Sequence, residues 1–156
     1  MNEIRREKDD PTIEYLRRAL VLDMQIDAYF ERIQKLRARA ERRTAAYGRD
    51  KVSASASVDS RMDVVARIVD AERDLDERID RMIAARAEIQ DTIEHVANEK
   101  MRALLQMRYL NGRTWEDIAD QMNYSTRNVY NLHSAALKAV APFVAIAEGR
   151  SAQLAI

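Results

Sequence analysis

Ten positions in the middle of the chain recur at alternating steps of three and four residues: Val65, Ile68, Glu72, Leu75, Ile79, Met82, Arg86, Ile89, Ile93 and Val96. Eight of them are apolar. A period of 3.5 residues keeps one seam of an α-helix turned toward a partner helix and imposes a left-handed supercoil. Strands repeat every second residue and give no such spacing. The chain is therefore built around a long helix that needs a partner. Glu72 and Arg86 interrupt the seam, and there the pattern predicts partial exposure, cross-helix pairing or a register-fixing role.

The partner lies upstream. Asp10 suits an N-cap and Pro11 the first helical position, where a missing N–H costs nothing. Ile13, Leu16 and Leu20 follow, and then Ile26, Tyr29, Ile33, Leu36 and Ala40 at steps of three and four. This helix is expected to fray near Tyr47-Gly48. Residues 49–59, Ser/Ala-rich and without apolar period, read as a flexible connection long enough for an antiparallel return. Ser60 and Asp63 have capping-box spacing and are expected to open the second long helix. Residues 10–98 thus predict a long, coiled-coil-like antiparallel helical hairpin.

The texture changes near Asn98. Met101, Leu104, Leu105 and Leu110 form the inward set of a helix stopped by Asn111-Gly112. Thr114, with Asp117 three residues on, opens a short helix that buries Ile118, Ala119 and Met122. Ser125 caps the next helix, whose inward residues are Val129, Leu132, Ala136, Leu137 and Val140, and which is expected to end before Pro142. The fold class is all-α: a hairpin over 10–98, a helix-turn-helix unit over 99–141 and a short Gly-broken tail over 142–156. In such a unit the second helix presents its N-terminal polar face to the major groove. Thr126, Arg127, Asn128, Tyr130 and Asn131 point outward, with Ser134 a turn further. Arg can read guanine and Asn adenine bidentately, so these five are the candidate base contacts. Arg113, His133 and Lys138 are candidate phosphate contacts, and Ser125 offers the helix N-terminus to a phosphate.

The segment "LLQMRYLNGRTWEDIADQMNYSTRNVYNLHSAALKAV" resembles region four of bacterial sigma factors through Arg108, Tyr109, Leu110, Gly112, Trp115, Glu116, Asp117, Ile118, Ala119, Ser125, Val129, Ala136, Leu137 and Lys138. With the heptad helices upstream, the chain is similar to phage and prophage proteins of the RinA/ArpU type, regarded as late-gene transcription activators. The resemblance implies a sequence-specific regulator of double-stranded DNA, with Thr126, Arg127, Tyr130 and Asn131 at the base-reading positions. RNA polymerase and a second copy of the chain, through the long helices, are further candidate partners. Nothing corresponds to the promoter-melting region of a full sigma factor. Two other readings stay open: a small terminase subunit for DNA packaging, and a coiled-coil interaction adaptor.

The formal net charge is zero, but it is unevenly spread. Residues 1–49 carry +3, residues 50–98 carry −5 and residues 99–156 carry +2. A DNA-binding unit would use the basic C-terminal third. There is no Cys, which excludes disulfides and thiolate metal sites. No Gly-rich phosphate loop, nucleophile elbow or triad pattern occurs, and the Asp/Glu runs lie on an amphipathic helix. No catalytic residue, metal or cofactor is expected. No unbroken apolar run reaches a membrane span and the N-terminus lacks a signal-peptide core, so a cytoplasmic location in a bacterial host cell is expected.

Overall fold

The computed structural model describes residues 10–47 and 54–154, and every regular element among them is a helix. In chain order these are α1 (Pro11–Tyr47), α2 (Ala54–Glu94), α3 (Glu99–Leu105), α4 (Trp115–Met122) and α5 (Thr126–Leu154). A π-helical turn, Gln106–Leu110, continues α3. The all-α class expected from the heptads is the class observed.

Asp10 caps α1 as its spacing predicts: its Oδ1 accepts from the Thr12 N–H at 2.8 Å. The start of α2 differs from the expectation. The helix already runs at Ala54, so Ser60 sits inside it and is not its cap. Alanine and serine carry no apolar period, yet alanine is the strongest intrinsic helix former, and a helix can grow through such a stretch. The remainder of the expected connection, 49–53, lies outside the described residues.

The chain divides into two compact units, residues 22–81 and residues 1–21 with 82–156. In the unit 22–81, Ile33 and Ala71 are buried, and Leu36, Ile68 and Leu75 are half-buried. Glu72 pairs with Arg37 of α1, so one interruption of the seam is a cross-helix ion pair. Arg78 donates to Gln25 Oε1 (2.8 Å) and the Tyr29 hydroxyl (2.9 Å), its guanidinium lying 4.2 Å from the Tyr29 ring centre.

The seam itself is displaced by one residue at two positions. Ile68, Leu75, Ile79, Met82, Ile89 and Val96 hold their places, buried or half-buried, but Ala71 and Ala85 are buried ahead of the half-buried Glu72 and Arg86. Ile93 is buried as well, whereas Val65 stands 56% exposed. The distance between packed helices depends on the side chains at the contact, and alanines leave room for a close neighbour.

In the second unit, Ile13, Leu16 and Ala19 of α1 are buried, as are Ile89 and Ile93 of α2. The Tyr15 hydroxyl donates to Glu88 Oε1 (3.3 Å) and lies 2.9 Å from Thr92 Oγ1, while Arg18 Nη2 donates to Glu88 Oε2 at 2.7 Å. Arg86, the other interruption of the seam, donates to the Leu110 carbonyl at 2.6 Å and so satisfies a backbone acceptor at the end of the π-helical turn. Leu104, Ile118, Ala119 and Val129 form a core shared by α3, α4 and α5. Met107, Trp115, Met122, Tyr124 and Leu132 close it.

The corners follow local chemistry. Asn98 Oδ1 accepts from the Lys100 and Met101 N–H groups and starts α3. Gly112 takes φ +63°, the left-handed conformation that glycine adopts without strain. Thr114 and Asp117 form both hydrogen bonds of a capping box. The expected stop before Pro142 does not occur: α5 runs through it and through Gly149 to Leu154. Pro142 is exposed, so its lost hydrogen bond, to the Lys138 carbonyl, involves a group near water. Val140, Val144 and Ala147 are buried on the other side and keep the helix continuous. By length and composition α5 is also long and apolar enough to cross a membrane. An unbroken apolar run, the criterion applied to the sequence, does not detect it because polar residues such as Asn131, His133, Ser134 and Lys138 interrupt it.

Candidate nucleic-acid interface

The turn between α4 and α5 is three residues long. Asn123 enters it with φ 54°, a left-handed conformation that Asn tolerates better than most side chains. Its N–H bonds back to the Asp120 carbonyl, and the Tyr124 N–H to the Ala119 carbonyl at 2.9 Å. Ser125 then caps α5: its Oγ accepts from the Asn128 N–H at 3.2 Å, and its hydroxyl proton remains able to donate. Lys100 donates to the Tyr124 hydroxyl at 2.9 Å, which ties α3 to the turn and raises the ammonium pKa. At Asp117 the Thr114 hydrogen bonds hold the carboxyl below its usual range.

With the start of α5 fixed in this way, its first turns split cleanly. Val129 is fully buried and Leu132 half-buried, whereas Thr126, Arg127, Asn128, Tyr130 and Asn131 are all exposed. The five expected base-contacting residues are therefore all open to solvent on the first turns of α5. Tyr130 is 43% exposed, and its ring centre lies 5.2 Å from that of Trp115. Trp115 is half-buried at the edge of the core, with the Arg108 guanidinium 4.4 Å from its ring centre.

Of the expected phosphate contacts, Arg113, Ser125 and Lys138 are exposed. His133 is not, and that assignment is corrected: the residue is 2% exposed. Its Nε2 lies 2.8 Å from the Tyr109 hydroxyl, and Trp115 meets it edge-on at 4.7 Å. Burial pushes its pKa down to about 4, assisted by the Arg108 and Arg17 charges and opposed by Asp10. A neutral imidazole inside the core supplies no charge to a phosphate. Its position, four residues after Val129, places it on the inward stripe, a signal readable from the spacing but outweighed by its polarity.

Sequence reasoning missed Lys100 and Asn123, and named Arg108 only as part of the sigma-like pattern. Cation–aromatic pairs that join separate helices leave no spacing signature, and Asn in the left-handed region is signalled only by its place between two caps. Among the described residues no group of three or more His, Asp or Glu side chains could hold a metal ion.

No curated protein and no solved structure matches the chain. A family model described as a protein of unknown function, DUF1492, matches residues 44–141, that is 98 of the 156 residues. That match takes in the last residues of α1, all of α2, α3 and α4 and the start of α5 with its polar face, and the chain belongs to the DUF1492 family.

Proposed function

We propose that this protein is a sequence-specific regulator of transcription that binds double-stranded DNA, of phage or prophage origin, and acts as a late-gene activator. The observation that carries the reading is the solvent-facing set Thr126, Arg127, Asn128, Tyr130 and Asn131 at the capped start of a helix whose opposite face closes a small core. In this reading α4 and α5 are a sigma-like helix-turn-helix, and the N-terminal half of α5 enters the major groove. Arg127 and Asn131 read base edges, Thr126, Asn128 and Tyr130 complete the contact, and Arg113, Ser125 and Lys138 hold the phosphates. The long helices form a coiled-coil-like antiparallel hairpin that offers a surface to RNA polymerase or to a second copy of the chain. In the unit 22–81 the cross-helix contacts run in opposite chain order, Arg37 to Glu72 and Gln25 to Arg78, which supports this pairing.

Selection of binding sites from random duplex DNA tests the reading, and a recurrent motif is expected. Arg127→Ala should then cost about 1–3 kcal/mol of specific binding and relax the preference at one position. Recovery of no motif, or an Arg127→Ala variant with wild-type specificity at fixed salt, refutes the assignment.

A second reading, a coiled-coil interaction adaptor, is favoured by Met62, Val65 and Val69. These apolar side chains stand 67%, 56% and 56% exposed on one face of α2. Failure of the selection together with a stable protein complex on that face would establish it. A ring of eight or more subunits by mass would instead indicate a packaging subunit.

A further inference from the structure

In the unit 22–81 two adjoining depressions, of about 580 and 410 Å³, are lined by ten residues, six of them cations. Arg32, Lys35, Arg39, Arg42 and Arg43 come from α1 and Arg67 from α2, around Leu36 and Val64. One carboxylate lines them, Asp63, which pairs with Arg67 at 3.2 Å. Lys35 meets Glu31 at 3.8 Å with both side chains more than 70% exposed, a geometry that neutralises little.

The helix dipole does not account for this cluster. Its influence falls off within the last turn, and the last turn of α1 holds no basic residue. The spacing is itself unfavourable: Arg32, Lys35, Arg39 and Arg42 follow one another at three or four residues, where like charges on a helix repel. A chain with no net charge has gathered six cations in one place at some cost to the free protein. From Arg32 to Arg43 the row extends for about 16 Å at about 1.5 Å per residue. A DNA strand passes roughly five phosphates in that distance at about 3.4 Å each. A single small anion touches only a fraction of such a row. Five of the six cations are arginines, whose planar forks bind phosphate oxygens bidentately.

We propose that this groove is a second, sequence-independent binding surface for the phosphate backbone of duplex DNA, an inference that rests on the DNA-binding reading above. It supplies affinity and salt dependence, while residues 126–131 supply sequence preference.

The test measures binding of the full chain to a random-sequence duplex and to a duplex carrying the selected motif, over a range of salt concentrations. The triple variant Arg32→Gln, Arg39→Gln, Arg42→Gln should flatten the log–log salt slope by up to about 2.7, at about 0.9 for each phosphate no longer neutralised. Affinity for both duplexes should fall by the same factor, leaving the preference between them unchanged. The matching Arg→Lys triple variant keeps the charge and should retain most of the slope, which separates charge from folding. If the wild type prefers its motif and the Gln variant keeps both slope and affinity, the groove proposal fails and the base-reading proposal stands. If the wild type binds neither duplex, both fail. Loss of binding to polyglutamate in the Gln variant, with the DNA slope unmoved, would assign the groove to an acidic protein and overturn the proposal.

Discussion

His133 makes the stability of this fold depend on pH in a definite direction. In the unfolded chain the imidazole titrates near 6.5, and in the folded chain burial holds it down to about 4. Between these values the unfolded state binds the extra proton, so acid favours unfolding there. The contribution of the neutral ring is intact above about pH 6.5 and falls as the pH drops toward 4, where the loss reaches about 3 kcal/mol, at about 1.4 kcal/mol per pH unit. The ring is 2% exposed, so solvent screening reduces this figure little. The perturbation is acidification from pH 7 to pH 4, compared between wild type and His133→Gln, which is polar at that position but does not titrate. Urea unfolding followed by helical circular dichroism gives stability at each pH. The variant is less stable at pH 7, because the Tyr109 hydrogen bond and the Trp115 contact are disturbed. Its curve should nevertheless run flatter, converging on the wild type by about 3 kcal/mol at pH 4. Parallel curves would show that His133 protonates inside the fold at its ordinary pKa and would refute the reasoning.

Leu104→Ala empties the centre of the α3–α4–α5 core, where Leu104 is fully buried, and should cost about 2–5 kcal/mol in chemical denaturation. Pro142→Ala restores a hydrogen-bond donor to an exposed position inside α5 and should raise stability by up to about 3 kcal/mol, read as an increased melting temperature. Gly112→Ala places a Cβ 3.5 Å from Leu20 Cδ2, an ordinary contact, so its cost of about 1–2 kcal/mol comes from the left-handed backbone alone. Gly112→Asn should cost less in the same thermal assay, because Asn tolerates that backbone.

The corners are the most legible part of the sequence. Asp10, Thr114 with Asp117, Gly112 and Ser125 act within four residues of themselves, so spacing alone locates them. The seam is only half legible. Ile68, Leu75, Met82, Ile89 and Val96 stand out because they are strongly apolar, but Ala71 and Ala85 are buried for their smallness. Glu72 and Arg86 lie beside that seam and satisfy partners, Arg37 and the Leu110 carbonyl, that only the tertiary fold supplies. The exposed face at 126–131 follows from the helical period, whereas His133 reads as a surface residue only when its polarity is weighed above its phase. Pro142 reads as a stop because a local rule carries no knowledge of which side of the helix faces water.

The unbroken course of α5 gives the molecule a lever. Its 29 residues extend about 43 Å at about 1.5 Å each, with Pro142 inside it. Far along this arm Phe143 stacks 5.3 Å from His95, and Ser151 donates to Glu88 at 3.3 Å. Phe143 lies about 25 Å from Thr126, so a sideways shift of about 1 Å there corresponds to roughly 2° of tilt along the whole arm. The aim of the polar face therefore depends on contacts beyond the middle of the helix as well as on the cap and core at its start. Substitutions at Phe143 or Ser151, which touch none of residues 126–131, act on that aim through leverage alone.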